Sequence, residues 1–132
     1  MDVDFVRSVC LDLPQATEHV QWGNDLVFKV AGKMFAIVNL DPGPVRASFK
    51  TTPEKFAELT ERPGILPAPY LARAHWVALE RFRALPAAEL RSRLEESYRL
   101  VVGRLPKATR AALSEAASTA SKPARRRSRQ ES

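Results

Sequence analysis

Residues 25–50, DLVFKVAGKMFAIVNLDPGPVRASFK, hold three apolar runs separated only by turn-forming residues. Residues 26–30 and 34–40 flank Ala31-Gly32-Lys33, a short Gly-containing connection of the kind that closes β-hairpins, and Asp41-Pro42-Gly43-Pro44 is a turn. The stretch therefore reads as an antiparallel β-meander. Its third run alternates: Val45, Ala47 and Phe49 point one way, and Arg46, Ser48 and Lys50 the other. Such alternation predicts a sheet covered on one face and wet on the other. Any binding role of the folded body is expected on the wet face.

Working outward, residues 2–13 space Val3, Val6, Val9, Cys10 and Leu13 at helical intervals, with Asp2 or Asp4 available as a cap. Pro14 ends that helix, and residues 16–22 lead into a Gly-Asn-Asp turn as an edge strand or an ordered loop. On the other side of the meander, Thr52-Pro53-Glu54 has the cap, first-position proline and acidic first turn of a helix start. Residues 65–74, ILPAPYLARA, carry two prolines among large apolar residues and predict an irregular segment pinned to the core by Ile65, Leu66, Tyr70 and Leu71. Residues 75–80, HWVALE, alternate as a strand and place His75 with Val77 and Leu79, and Trp76 opposite them. Trp76 is expected to be packed beneath the 65–74 segment, because of the apolar area it carries. Pro86 opens the longest helix, with Leu90, Leu94, Tyr98, Val101 or Val102, and Leu105 along its oily side.

The 132 residues suit one domain. The fold class expected is α+β: an antiparallel sheet packed on one face by N- and C-terminal helices. The formal charge is +6, but from Lys107 onward seven basic residues face two acidic ones, a net of +5, which leaves residues 1–106 at +1. The division expected is a domain over 1–107 and a basic tail over 108–132, with residues 108–117 fraying in and out of helix and 118–132 disordered. The single cysteine, Cys10, excludes an internal disulfide and makes a reducing cytoplasm the default compartment. It falls on the oily stripe of the first helix and reads as a buried, inert thiol. No apolar run approaches the ~20 residues that cross a bilayer, and no membrane partner is expected.

No G-x-S-x-G, phosphate-cradling glycine loop or H-E-x-x-H is present, and His19 and His75 lack metal-ligand spacing. A non-enzymatic domain without cofactor or metal is the expectation. What remains points to binding. Lys29, Arg46, Ser48 and Lys50 on the wet face, with Lys33 at the hairpin tip, could meet phosphates, or could simply keep an exposed sheet soluble. Trp22, Tyr70 and Trp76 could stack on bases or fill the core. The ARRRSR run near the C-terminus could bind any polyanion.

The runs WGNDLVFKVAGKMFAIV, VRASFKTTPEKF, PGILPAPYLARAHWV and SYRLVVGRLP, in that order, resemble the MmcQ/YjbR family of small bacterial proteins over residues 5–107. The resemblance implies a CyaY-like fold and a DNA-binding role through a double-wing motif. The family's hairpin pattern falls on residues 28–35, its S-F-K strand on 48–50, and its H-W pair on His75 and Trp76. Frataxins share that fold and use an acidic ridge for iron. Here the first helix offers only Asp2, Asp4 and Asp12 beside Arg7, so iron delivery is not supported. The nucleic-acid-binding set expected is Lys29, Lys33, Arg46 and Lys50 on phosphate, bordered by Arg73, His75 and Trp76. DNA is the expected partner of a chain whose oligomeric state is open, with a monomer favoured. A protein- or small-ligand-binding domain is the alternative.

Overall fold

A computed structural model describes residues 2–120, with side chains through Leu113. The meander forms the centre of one six-stranded sheet, in which every neighbouring pair is antiparallel. Helix α1 (Val3–Leu11) leads to strands β1 (Thr17–Gln21), β2 (Asp25–Val30), β3 (Lys33–Asn39) and β4 (Ala47–Lys50). Helix α2 (Pro53–Leu59), β5 (Ile65–Pro67), β6 (Trp76–Leu79), α3 (Ala87–Gly103) and α4 (Lys107–Ala120) follow. The strand order is β1-β2-β3-β4-β6-β5, so β1 and β5 are the edges.

Local signals account for most of these boundaries. Asp2 caps α1 by accepting the Phe5 amide at 3.2 Å, and Thr52 caps α2 by accepting that of Lys55 at 3.1 Å. Between β2 and β3, Ala31 and Gly32 have φ of 51° and 79°, the paired positive values of a two-residue hairpin turn that follows the twist of its strands. Lys33 is accordingly the first residue of β3, not part of the turn.

Helices α1 and α3 cover one face of the sheet. Val6, Val9 and Cys10 from α1 and Leu90, Leu94 and Val101 from α3 meet Leu26, Phe28, Phe35, Phe49, Val77 and Leu79 in a single core. Cys10 is fully buried, which pushes its thiol pKa up and keeps the group unreactive. Tyr98 reaches out of this core to donate to the Pro14 carbonyl at 2.7 Å, fixing the α1–β1 connection to α3.

The opposite face departs from the expected wet surface. Val27, Ile37, Val45, Ala68, Trp76 and Ala78 form a second buried cluster there, with Met34, Leu66 and Leu71 partly buried against it. Val45 thus lies across the sheet from Ala47 and Phe49, because β4 begins only at Ala47 and the preceding turn breaks the alternation. The cover is the segment after β5, tied down by Ala68 N–H to the Trp76 carbonyl (3.0 Å) and Trp76 N–H to the Leu71 carbonyl (3.3 Å). Ile65 and Leu66 pin that segment as expected, but Tyr70 does not: its side chain is fully exposed.

Helix α4 runs to Ala120, beyond the fraying limit expected at residue 117, and Leu113 is half-buried against the main core. Leu113 thus anchors the start of the expected tail on the domain, while residues 121–132 lie outside the described residues.

Two bidentate ion pairs tie elements together: Arg7 with Glu18 joins α1 to β1, and Arg62 with Glu89 joins the α2–β5 loop to α3. Each guanidinium holds its carboxyl below the ordinary 4.5. A depressed folded pKa stabilises only while the carboxylate is ionised, so the contribution is complete above pH 4.5 and is lost as pH falls through the lower folded value. Both pairs are about one-third exposed, which keeps the effect small. The Glu18→Gln/Glu89→Gln variant is expected to unfold more easily than wild type at neutral pH, with the difference closing on acidification. Urea titrations across the acid range check this, and a gap that persisted below both folded pKa values would rule the pairs out as its source.

Candidate nucleic-acid interface and a second cavity

Strands β2 and β3 are out of simple register. Phe28 faces Ala36, but Lys29 faces Met34, so Phe35 is an extra residue on β3, a β-bulge that sends both Phe35 and Ala36 to the helix-covered face. The β3–β4 ladder pairs Val38 with Ala47, Ile37 with Ser48 and Ala36 with Phe49. Its next step would be Phe35 with Lys50, and there the strands part. Ser97 of α3, fully buried, inserts its hydroxyl between them, donating to the Phe35 carbonyl at 2.5 Å and accepting from the Lys50 amide at 2.9 Å.

Beyond that wedge the sheet opens into a cleft of about 390 Å³. Lys33 from the hairpin, Lys50 from the end of β4 and Arg104 at the C-terminal cap of α3 line it, with Trp76, Val101 and Leu105 among its apolar walls. None of the described lining residues is acidic, and none of the three cations forms an ion pair among the described residues. The Lys50 ammonium donates to the Ala74 carbonyl at 2.8 Å. Partial burial, and then repulsion from Arg104, lower its pKa.

Of the seven residues expected from sequence, the fold brings Lys33, Lys50 and Trp76 to this cleft. Arg73 stands exposed next to Ala74, on its border. Lys29 is half-buried opposite Met34 and does not line the cleft. Arg46 is at the far end of β4, about 13 Å from Lys50 at ~3.3 Å per residue. Its guanidinium lies 5.4 Å from the Phe82 ring centroid, with one N–H on the Asp41 carbonyl. The His75 ring is turned to Phe56 of α2, edge to face at 5.6 Å. Trp76 is only 4% exposed, so it serves as wall and offers no face for base stacking.

Sequence reading missed Arg104 and Ser97. Ser97 had a signal: it lies three residues after Leu94 and four before Val101, a polar residue on the oily stripe of α3. Arg104 had none, since it is one of several arginines on a mixed-charge helix.

A second cavity, of about 490 Å³, lies on the other side of Met34, over the face that carries Trp76. Ile37, Val45 and Leu71 supply apolar lining, Asp25, Asn39 and Ser48 polar groups, and Trp22 and Tyr70 stand at its edge.

A model of the family described as YjbR matches residues 11–100. The chain belongs to the YjbR family. The match takes in Lys33, Lys50, Ser97 and Trp76 of the cleft, while Arg104 lies just past its end. The crystal structure of the Deinococcus radiodurans protein DR2400, described as carrying a DUF419 domain, is similar at 36% identity and a TM-score of 0.78. The likeness covers 86% of this chain and 88% of that one. It bears out the α+β fold and the resemblance to YjbR proteins. No curated protein matches the chain. Among the described residues no helix is long and apolar enough to cross a membrane.

Proposed function

We propose that this YjbR protein is a non-enzymatic, cytoplasmic DNA-binding module that grips the phosphate backbone at the cleft between the β2–β3 hairpin and the end of α3. One observation carries the reading: Lys33, Lys50 and Arg104 converge with no carboxylate among the described residues to neutralise them. The C-terminal end of a helix supplies only about half an elementary negative charge, so three full cations leave the cleft net positive. Burial first and repulsion from Arg104 second lower the Lys50 pKa, and an anion entering the cleft offsets that repulsion. Phosphate satisfies such a site without regard to base sequence, and the buried Trp76 adds no base contact. Arg73 on the border extends the positive surface, and the arginines of the C-terminal run add charge of the same sign.

The test is duplex binding by the full chain across a salt series, against the Lys33→Ala/Lys50→Ala/Arg104→Ala variant. Each phosphate contact removed should flatten the log affinity against log salt slope by about 1. The triple variant is therefore expected to lose about two to three units of slope and most of the low-salt affinity. Equal binding by the two proteins would overturn the cleft and leave the C-terminal run as the source of affinity. A chain ending at Ala120 isolates that run more cleanly than one ending at Lys107, which would also strip Leu113 from the core.

A further inference from the structure

We infer that the second cavity, over the face of the sheet that carries Trp76, is a binding site for a small aromatic amine: a flat apolar body bearing a protonated nitrogen. Its volume of about 490 Å³ lies within the range of about 300–1,000 Å³ usual for small-molecule sites. Apolar side chains make most of the lining, with a few polar groups among them, the composition that holds an organic ligand and fixes its orientation.

The polar groups select the nitrogen. Among the described lining residues Asp25 is the only charged side chain, so the site disfavours the phosphate that the basic cleft attracts. Asn39 donates its amide N–H to the Asp25 carboxylate at 2.9 Å, and that contact sets which way round the amide lies. Its oxygen is left buried without a partner among the described residues. Buried acceptors are rarely left unpaired, and this one belongs to a residue of the cavity wall. Beside it Ser48, nearly buried, adds a hydroxyl that also accepts. Two groups able to accept and a carboxylate, with no cation among the described lining residues, match a ligand that donates and carries positive charge.

The edge of the cavity selects the flat body. Trp22 is 61% exposed and Tyr70 fully exposed, two of the four large hydrophobic side chains that the described residues leave in solvent. Both have left-handed backbone, φ 50° and 66°, which is unfavourable for bulky residues and stations both rings at one opening. Aromatic faces next to a carboxylate are the usual means of holding an organic cation.

The experiment titrates the full ¹⁵N-labelled chain with 1-naphthylmethylamine and, as a counterpart of reversed charge, 1-naphthylacetate. The amine is expected to give saturable amide shifts confined to residues 22–25, 34, 37–39, 45, 48, 70 and 71. It should bind at least about tenfold tighter than the acid, the worth of one charge-assisted contact. Tyr70→Ala, whose side chain touches no core, should weaken the amine about two- to fivefold and leave DNA binding unchanged. Asp25→Asn should abolish the preference for amine over acid. Absence of saturation, equal binding of amine and acid, shifts outside those residues, or wild-type affinity in Tyr70→Ala would each overturn the assignment. Failure of DNA binding in the triple cleft variant bears only on the other site.

Discussion

Trp76→Ala is expected to cost about 3–5 kcal/mol of folding stability, the range for emptying a core aromatic site. Trp76 is 4% exposed and packs in the cluster of Val27, Ile37, Val45, Ala68 and Ala78. Its backbone bonds on both sides to the 68–71 segment, so the neighbours cannot close over the void without moving that cover. A loss of this size is a large share of the roughly 5–15 kcal/mol that holds an ordinary domain together. The same substitution removes a wall of the basic cleft, and its effect on DNA affinity should follow the loss of fold, not the loss of a stacking partner. Chemical denaturation decides: a cost below about 1 kcal/mol, within the scatter of surface substitutions, would mean that Trp76 is not packed and would return it to the binding surface.

The second large effect belongs to Ser97→Ala. This deletes one hydroxyl and leaves two buried backbone groups, the Phe35 carbonyl and the Lys50 amide, without the partner they share. A buried group stripped of its partner costs about 1–3 kcal/mol, and some closing of β3 on β4 would recover part of it, so a loss of about 2–4 kcal/mol is expected. The variant also carries a functional signature. If Ser97 is the wedge that parts the strands, its loss lets Lys50 shift toward β3 and weakens duplex binding while all three cations are still present. Urea titration and DNA affinity at matched fraction folded would show it. A stability change under about 1 kcal/mol together with unchanged DNA affinity would show that the hydroxyl does not hold the strands apart, and the account of how the cleft opens would fail.

Much of the architecture is legible in local sequence, because local chemistry causes it. The turns at Ala31-Gly32 and residues 41–44, the caps Asp2 and Thr52, and the proline that opens α3 are short-range effects, readable without knowing what packs where. The oily stripe of α3 and the alternation through β6 likewise follow from the 3.6 and 2.0 residue periods. The motif order over residues 5–107 carried the family, which the match over 11–100 bears out. Period-two reading also separated Trp76 from Val77 and Leu79 correctly.

What period and propensity do not contain is the third dimension of a second layer. Alternation says that two faces differ, not that the second is wet. Residues 65–71 fold back over that face because their own apolar side chains need cover, a contact between segments about 20 to 40 positions apart in the chain. The bulge at Phe35 is invisible for a similar reason: it places one extra residue against a partner strand, and only the pairing reveals the excess. From that offset come the Ser97 wedge, the parted strands and the meeting of Lys33 and Lys50 with Arg104, a residue 54 positions beyond Lys50. Arg46 and His75 dropped out for the opposite reason. Their charge and ring were legible, but the length of β4 and the Phe56 contact decided where they point. Residue type set which groups were able to bind an anion, and packing between distant segments chose which of them share a cleft.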